Sequence, residues 1–505
     1  MIHHSYKNTL IYNEFDEKNN IYWFDFKRQK FLHNIDTYYY SVRFTADEES
    51  KDNFYEVLRE DKERCKKEGE TLSSISSKYI TNGYSFGSYK YDLEIPDEYL
   101  ILIAEHVPNE QTPQIIVQIR SMPLWLYGVF DSIKKSFECV QDICMQFNLS
   151  IKEVKSNRID YCWHTNYIQD LDTFFNPVNI AKMRVSRFDT ADMHFKFRGE
   201  EDIEYDYIRL GRLKSNNMIF RAYLKSKEVV EMGYKPWFLK IWQLNGLINR
   251  YDLYVYEECF KNHSWEYLHK ARLKFYYEYG QDQNKKNIIG AILNEQNGTG
   301  ISNYDDLKSF ADELTPKVNF IINFEYQTMR KFYSSIEFVN FRDRQGICKD
   351  LLLELDSRRL VLDYLTHETL RFVGKNGDTN KARRDYAPFW ERLRKSKIID
   401  CIVPPESLSL VRVYKTNLCA DLVKRKAINN IATLNVYKQN DNVNIYSDIV
   451  DFVSSLNDND LYQMKQYKNK KIQLLKNTLE EATESKTKFN TLGIVDLNTG
   501  LLLNQ

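Results

Sequence analysis

The chain has 505 residues, with 71 Lys+Arg against 71 Asp+Glu and a hydrophobic content of 43%. That length exceeds what one compact core usually supports, so we expect two or more domains. The composition is typical of a globular protein and excludes the disordered and fibrous classes. Because the net charge is zero, any nucleic-acid binding must come from local basic patches.

Neither a membrane protein nor a zinc hydrolase is expected. No uncharged apolar run reaches the roughly 18 residues that cross a bilayer. The N-terminal stretch MIHHSYKNTLIYNEF has no apolar signal core, so we expect a cytoplasmic protein without a membrane partner. The eight cysteines include no C-x-x-C pair, which is typical of free thiols, and the nine histidines include no H-x-H or H-E-x-x-H spacing.

After a lead-in over residues 1–35, the predicted elements alternate between helices and strands. Helical spacing of apolar residues predicts a helix over 130–149, and another is expected within 51–80. Aromatic and β-branched runs predict strands at 37–46, 114–120, 154–164, 207–211, 218–225 and 249–256. The expected fold class is α+β, with one sheet flanked by helices.

The polar stretch at 294–306 (NEQNGTGISNYDD) is the best candidate for a linker between domains. It would separate a first domain at 36–293 from a helix-rich basic domain at 307–436. A polar connector and a helical tail would occupy 437–505. The C-terminal region is therefore expected to be mainly helical.

Polar residues share one face of the strand that begins near residue 154. Period two places Arg158, Asp160, Cys162 and His164 together. A carboxylate and an imidazole on the same face can hold a divalent metal. A salt-bridged aspartate and a buried, hydrogen-bonded histidine are the ordinary alternative.

Arg221, Tyr223 and Lys225 share a face of a later strand. A tyrosine between two cations can be a nucleophile, because positive charge favours the phenolate and also holds a phosphate. Since the chain has 36 tyrosines, ordinary packing is the alternative. Asp252 lies on a third predicted strand with Arg250, where an exposed ion pair would be the simpler explanation.

The order of these segments resembles the replication initiation factor family, the Rep_trans-type initiators and relaxases of plasmids, integrative elements and filamentous phages. The resemblance covers roughly residues 36–275, and Ala382–Trp390 is similar to a segment of longer members. Its motifs are an R-x-D strand, an I-G-x-x-K-S strand and turn, an R-x-Y-x-K-x-x-E active-site strand and an R-[FY]-E strand. The similar segments here are Arg158–Asp160, Leu210–Asn216, Arg221–Glu228 and Asn249–Asp252, respectively.

The resemblance implies a fold related to the HUH endonucleases, an antiparallel sheet flanked by helices in which other ligands replace the paired histidines. It implies that Tyr223 attacks a phosphodiester of single-stranded DNA and leaves a 5′-phosphotyrosine and a free 3′-OH. Lys225 or Arg221 would assist at the phosphate or the leaving oxygen.

The family also implies a divalent metal, Mg²⁺ or Mn²⁺, which here would be held by Asp160, His164 and Asp252. Family members usually have an aspartate where His164 stands and a glutamate where Asp252 stands. Histidine suits Mn²⁺ better than Mg²⁺, and the shorter Asp252 has less reach. Glu228 is expected to be a supporting partner.

A local basic excess follows in the C-terminal half. Residues 379–427 contain 12 Lys+Arg and five acids, with Tyr386, Phe389 and Trp390 among them. This combination suits phosphate contact and base stacking, and a solvated helix face is the alternative. The residues expected to bind DNA are Lys214, Arg383, Arg384, Arg392 and Arg394.

The sequence thus favours a site-specific DNA nicking and joining enzyme that initiates rolling-circle replication. A conjugative relaxase with the same chemistry is one alternative, and a non-catalytic DNA-binding protein on the same fold is another. The expected partners are single-stranded or cruciform origin DNA, a host helicase and polymerase, and a second copy of the chain.

Overall fold

The computed structural model divides the chain into two compact units, Met1–Arg330 with Gln345–Pro404, and Lys331–Arg344 with Pro405–Gln505. The residues that it describes are 30–105, 112–188, 193–198, 204–211, 217–233, 235–297, 304–333, 336–339, 358–374, 378–398, 409–413, 427–428, 430–431, 433, 445–469 and 494–495.

An antiparallel sheet of eleven strands organises the first unit. Its strands are β1 (Phe31–Thr45), β2 (Thr71–Leu72), β3 (Ile80–Thr81), β4 (Tyr91–Ile95), β5 (Tyr99–Ile103), β6 (Ile115–Ile119), β7 (Ser150–Thr165), β9 (Met193–Arg198), β10 (Glu204–Leu210), β11 (Met218–Leu224) and β12 (Ile322–Met329). They lie in the order β2-β3-β4-β5-β6-β1-β7-β12-β11-β10-β9. A separate pair joins β8 (Arg184–Ser186) to β14 (Leu370–Phe372).

Helices flank this sheet. They are α1 (Glu48–Glu68), α2 (Ser121–Leu126), α3 (Val129–Gln146), α4 (Leu171–Phe175), α5 (Pro177–Met183), α6 (Lys225–Glu231), α7 (Pro236–Leu244), α8 (Arg250–Lys261), α9 (Leu268–Tyr279), α10 (Gln283–Asn297), α11 (Tyr304–Leu314), α13 (Arg358–Asp363) and α14 (Pro388–Arg394). Helix α12 (Arg330–Tyr333) begins at the last residue of the first unit before the chain enters the second. Tyr364–Thr369 forms a π-helix, and Trp265–Tyr267 and Lys381–Arg383 form 3₁₀ turns. Within the described ranges, no helix has the length and apolar character needed to cross a bilayer.

The second unit contains helix α15 (Ile445–Ser454) and a helical stretch at 458–469. It also contains a small sheet of β13 (Ile336–Val339), β15 (Ser409–Val413) and β16 (Ile494–Val495). The predicted α+β class, with an antiparallel sheet, flanking helices and helices in the C-terminal region, is therefore what the chain adopts. The predicted tail extends past residue 469 into positions outside the described residues.

The central sheet has an aromatic face and a polar face, because successive side chains of a strand point to opposite sides. On the aromatic face, the buried ring of Phe324 in β12 contacts rings from β11, α4 and α14. Its neighbours Asn323 and Glu325 project to the other face. The core thus lies on one side of β12, and buried polar groups lie on the other.

The strand predicted at 249–256 is wrong, since these residues begin helix α8. Asn249 and Asp252 form a capping box: the Asn249 side chain accepts from the Asp252 amide at 3.1 Å, and the Asp252 carboxylate accepts from the Asn249 amide at 2.8 Å. Such reciprocal bonds satisfy amide groups that a helix start leaves unpaired. The three-residue spacing of Asn249 and Asp252 is typical of a helix start, whereas the alternation of polar residues in the same segment had indicated a strand.

The predicted boundary near 294–306 differs from the division in the structure. Strand β12 follows that stretch, yet it lies inside the sheet, between β7 and β11. The first unit therefore includes Met1–Arg330 and also takes in Gln345–Pro404. The helices of 250–314 are an excursion within this unit.

Replacement of Phe324 by alanine is expected to lower the free energy of unfolding by about 3–5 kcal/mol, because it opens a cavity among packed rings. Urea unfolding of the full chain measures this. Phe86→Ala is the matched control, since that ring is 48% exposed. Equal effects of the two substitutions would contradict the burial of Phe324 on an internal strand.

Candidate active site

The strand register places polar side chains side by side on one face of the sheet. Tyr223 in β11 pairs with Asn323 in β12, which pairs with His164 in β7. In the adjacent row, Glu325 lies between Arg221 and Cys162. Directly opposite residues on neighbouring strands have close Cβ atoms, so these side chains are in contact range.

A cleft of about 300 Å³ opens over this face. It is lined by residues of β1, β6, β7, β11 and β12 and of the segments around α6 and α7. They are Asp36, Thr37, Asp97, Gln118, Arg120, Ser121, Arg158, Asp160, Arg221, Tyr223, Lys225, Glu228, Lys235, Trp237 and Glu325. The cleft therefore brings together Arg221, Tyr223, Lys225 and Asp160 from the predicted site.

The Tyr223 hydroxyl contacts three polar groups. It donates to Glu325 Oε2 at 3.1 Å and accepts from Asn323 Nδ2 at 2.9 Å, and Lys225 Nζ lies 3.4 Å away. Burial raises the pKa of Tyr223 well above its ordinary value, although Lys225 lowers it. The phenol is neutral at rest, and Glu325 is placed to take its proton.

Lys225 lies at the point where strand β11 becomes helix α6. The strand ends at Leu224, so Glu228 falls on the helical face of Lys225 and not on the opposite strand face. The Lys225 ammonium lies 2.7 Å from Glu228 and 3.3 Å from Asp36, and its side chain is 1% exposed. Burial disfavours its charge, yet Asp36 and Glu228 hold its pKa well above the ordinary value.

Asp160 is held by arginines. Arg158 Nε donates to Asp160 Oδ1 at 2.8 Å, and Arg221 lies 3.8 Å from the other oxygen while also pairing with Glu325. Burial raises the pKa of Asp160 to about 6, although Arg158 lowers it. One guanidinium thus bridges two carboxylates that project from neighbouring strands.

Two groups of donors could hold a metal. Asp160 and Glu325 offer carboxylate oxygens to the cleft, which suits Mg²⁺ or Mn²⁺ bound partly through a substrate phosphate; Arg221 occupies the space between them. Separately, Asp36, Cys162 and His164 place one donor atom each within 4.8 Å of one another. The predicted set of Asp160, His164 and Asp252 is not assembled.

His164 and Asp252 are the two predicted ligands that lie elsewhere. His164 projects between helices α2 and α7, where its ring stacks on Trp125 at 4.5 Å and accepts from Trp242 at 3.1 Å. Asp252 is committed to the α8 capping box and also accepts from the Asn319 amide at 2.9 Å. It is not among the residues of the cleft.

Of the basic residues predicted to bind DNA, the four that the structure describes do not line the cleft. Trp390 and Phe389 are buried against the aromatic face, so they are core residues and not stacking platforms. Helix α14, which carries Arg392 and Arg394, therefore lies across the sheet from Tyr223. The guanidinium of Arg392 lies over the Tyr167 ring and that of Arg394 over the Tyr386 ring.

Arg383 is exposed, and Arg384 is half-buried and donates to the Asp378 carbonyl at 2.6 Å. Neither lines the cleft. Lys214 lies outside the described residues. A role in DNA binding stays a prediction for all five positions.

The sequence prediction missed Glu325 and Asn323. The segment Asn323-Phe324-Glu325 alternates polar and aromatic residues as a half-buried strand does. That alternation was the signal that could have identified it. The acid-bearing strand predicted at Asn249–Asp252 is a helix start.

The raised pKa of Asp160 has a consequence for stability. The folded protein holds this proton more tightly than the unfolded chain, so the free energy of unfolding falls as the pH rises from about 4 to about 6. The stability of wild type relative to Asp160→Asn is expected to fall by about 2 kcal/mol between pH 4 and pH 6. Urea unfolding at a series of pH values tests this, with Asp142→Asn, at an exposed carboxylate, as the control. A constant difference between wild type and Asp160→Asn would contradict it.

No family model matches the chain, and no curated protein matches it. Among solved structures, the chain is similar to a rolling circle replication initiator protein from Geobacillus stearothermophilus. The two share 12% sequence identity, with a TM-score of 0.33, over 72% of this chain and 96% of the other.

Proposed function

We propose that the chain is a site-specific single-strand DNA endonuclease and ligase that uses Tyr223 as its nucleophile to initiate rolling-circle replication of a plasmid, phage or integrative element. The observation that carries this proposal is the setting of the Tyr223 hydroxyl, between a carboxylate acceptor and an ammonium, in an open cleft. The sequence resemblance at Arg158–Asp160 and Arg221–Glu228 supplies the substrate class.

The chemistry follows from the neighbours of the phenol. As Tyr223 Oη attacks the phosphorus, its proton passes to Glu325 Oε2, 3.1 Å away. The bond from phosphorus to the 3′-oxygen breaks, and that oxygen takes a proton from solvent and leaves as a 3′-OH. A 5′-phosphotyrosine remains, and the reverse reaction joins the strand.

Two cations near the Tyr223 phenol stabilise the negative charge that develops during the reaction. Lys225 is held 3.4 Å from Tyr223 Oη by two carboxylates, so it favours the phenolate without moving during the reaction. Arg221 lies beside it and can contact the phosphate in place of one of its carboxylate partners. Such fixed charges stabilise a transition state because they need no reorganisation.

Asp160 and Glu325 would hold the Mg²⁺ or Mn²⁺ that the family resemblance implies. When bound, such an ion polarises the phosphate and offsets its charge. The oxygen donors suit such an ion, since both carboxylates face the cleft, and the space between them opens when Arg221, which now bridges them, turns to the phosphate.

Covalent capture tests the nucleophile. The protein is incubated with Mn²⁺ and supercoiled DNA that carries its own gene and flanks, then digested for mass spectrometry. A nucleotide adduct is expected on Tyr223, absent in Tyr223→Phe and in EDTA. Tyr207→Phe is the matched control, because that ring lies 6.4 Å away on the neighbouring strand, and it should keep the adduct.

An adduct on another tyrosine would reject Tyr223 while keeping the reaction. DNA binding with no adduct under any metal would favour a non-catalytic DNA-binding protein. Transfer of the nicked strand to a recipient cell, without plasmid replication, would identify a conjugative relaxase.

Loss of the proton acceptor should slow the nicking reaction without changing which tyrosine becomes linked to DNA. Glu325→Gln is expected to lower the nicking rate by roughly 10²- to 10⁴-fold, as for a general base, and any residual adduct should stay on Tyr223. Single-turnover nicking of a labelled oligonucleotide measures the rate. Glu105→Gln, at a carboxylate paired with Arg59 far from Tyr223, should leave it unchanged.

A further inference from the structure

A cluster of three different donors lies on the polar face next to the proposed nicking site. Asp36, Cys162 and His164 offer an oxygen, a sulfur and a nitrogen that all lie within 4.8 Å of one another. We propose that these three residues bind a zinc ion, at a site distinct from the Asp160–Glu325 pair. The proposal goes beyond the nicking function and does not depend on it.

A β-bulge brings Asp36 to the cluster. Ile35 pairs with Tyr161 and Thr37 pairs with Asp160, so Asp36 is an extra residue of β1 with no partner on β7. A bulge of this kind re-aims a side chain relative to the regular alternation. Cys162 and His164 already share a face because they are two residues apart in β7.

The cluster contains two buried polar atoms without a partner. Among the described residues, neither His164 Nε2 nor Asp36 Oδ1 has a hydrogen-bond partner, and the His164 side chain is fully buried. Nearly all buried polar atoms in folded proteins are paired, so each orphan calls for an explanation. Here the two orphans belong to the same three-residue cluster, and a bound ion would satisfy both.

The donor chemistry selects the metal. Thiolate and imidazole ligands suit zinc, whereas Mg²⁺ takes oxygen ligands only. Three protein ligands with an open fourth position is a common zinc arrangement. Tetrahedral zinc would bring the donors to about 3.4–3.7 Å from one another, so donors at the 4.8 Å limit must approach by roughly 1 Å.

Each ligand has a contact that zinc would change or keep. The Cys162 thiol donates to the Asn34 carbonyl at 3.3 Å; on binding it loses its proton to solvent, and this bond is lost. Asp36 can use its orphan oxygen for the metal while its other oxygen keeps Lys225 at 3.3 Å. The site is thereby linked through Asp36 to the ammonium that contacts Tyr223.

The contact of His164 with Trp242 opposes metal binding. Trp242 Nε1–H donates to His164 Nδ1, so the imidazole proton lies on Nε2. Coordination through Nε2 moves that proton to Nδ1, and the indole then loses its acceptor. One hydrogen bond is far weaker than a zinc–thiolate site, so zinc binds despite this contact and disturbs Trp242.

Cobalt substitution tests the site in the full chain. Co²⁺ is titrated in excess Mg²⁺ and followed by absorption, because only a sulfur ligand gives a thiolate-to-cobalt charge-transfer band. We expect one such ion per chain and its displacement by Zn²⁺. Cys162→Ser should lose the band and weaken binding by more than about 100-fold, while Cys259→Ser, at an equally buried thiol in α8, should keep both.

A second variant keeps the test decisive if Cys162→Ser folds poorly by circular dichroism. Trp242→Phe removes the competing hydrogen bond, so it should bind Co²⁺ about fivefold more tightly with the same band. Absence of the band in wild type, an unchanged band in Cys162→Ser, or weaker binding in Trp242→Phe would each overturn the zinc site. Cys162→Ser is also tested in the nicking assay, which keeps the two proposals apart. The cobalt band reports on the zinc site, and the Tyr223 adduct reports independently on the nicking function.

Discussion

The polar face of the central sheet depends on ion pairs, because each of its buried carboxylates needs a cation in contact. Asp36, Asp160, Glu228 and Glu325 each have a cation in contact, supplied by Lys225, Arg158, Lys235 and Arg221. A carboxylate buried without such a partner would be driven to its neutral form or would destabilise the fold. Because Lys225 and Arg221 each contact two acids, the ion pairs form one connected network.

This network also explains why the phenol of Tyr223 can be buried next to a glutamate. One oxygen of Glu325 pairs with Arg221, and the other accepts from the Tyr223 hydroxyl and from the Asn323 side chain. The same side chain would otherwise repel a developing phenolate. Arg221 neutralises the proton acceptor Glu325, and Lys225 faces the nucleophile Tyr223.

The sequence predicted what depends on short-range pattern. Strands β1, β6, β7, β10 and β11 and helix α3 were confirmed, because period-two and period-3.6 patterns are local. The same pattern placed Tyr223 and Arg221 on one face, and Arg158 with Asp160.

What the sequence did not predict depends on long-range pairing or on a local irregularity. Glu325 meets Tyr223 across 102 positions of chain, and nothing near either residue indicates which strand will be its neighbour. Asp36 reaches Cys162 through a bulge, which period two does not contain. At Asn249–Asp252, alternate polar residues indicated a strand, although Asn249 and Asp252 are also three residues apart, which is the spacing of a capping box at a helix start.

The late position of β12 in the chain has a consequence for synthesis. Strands β7 and β11 are complete long before their common neighbour, which emerges only after helices α6 to α11. Until then both strands present open edges, and unpaired strand edges are the sites at which chains associate wrongly. The helical excursion thus sets a delay during which the nascent sheet consists of two separate halves, and its closure waits on contacts of large sequence separation, which form slowly.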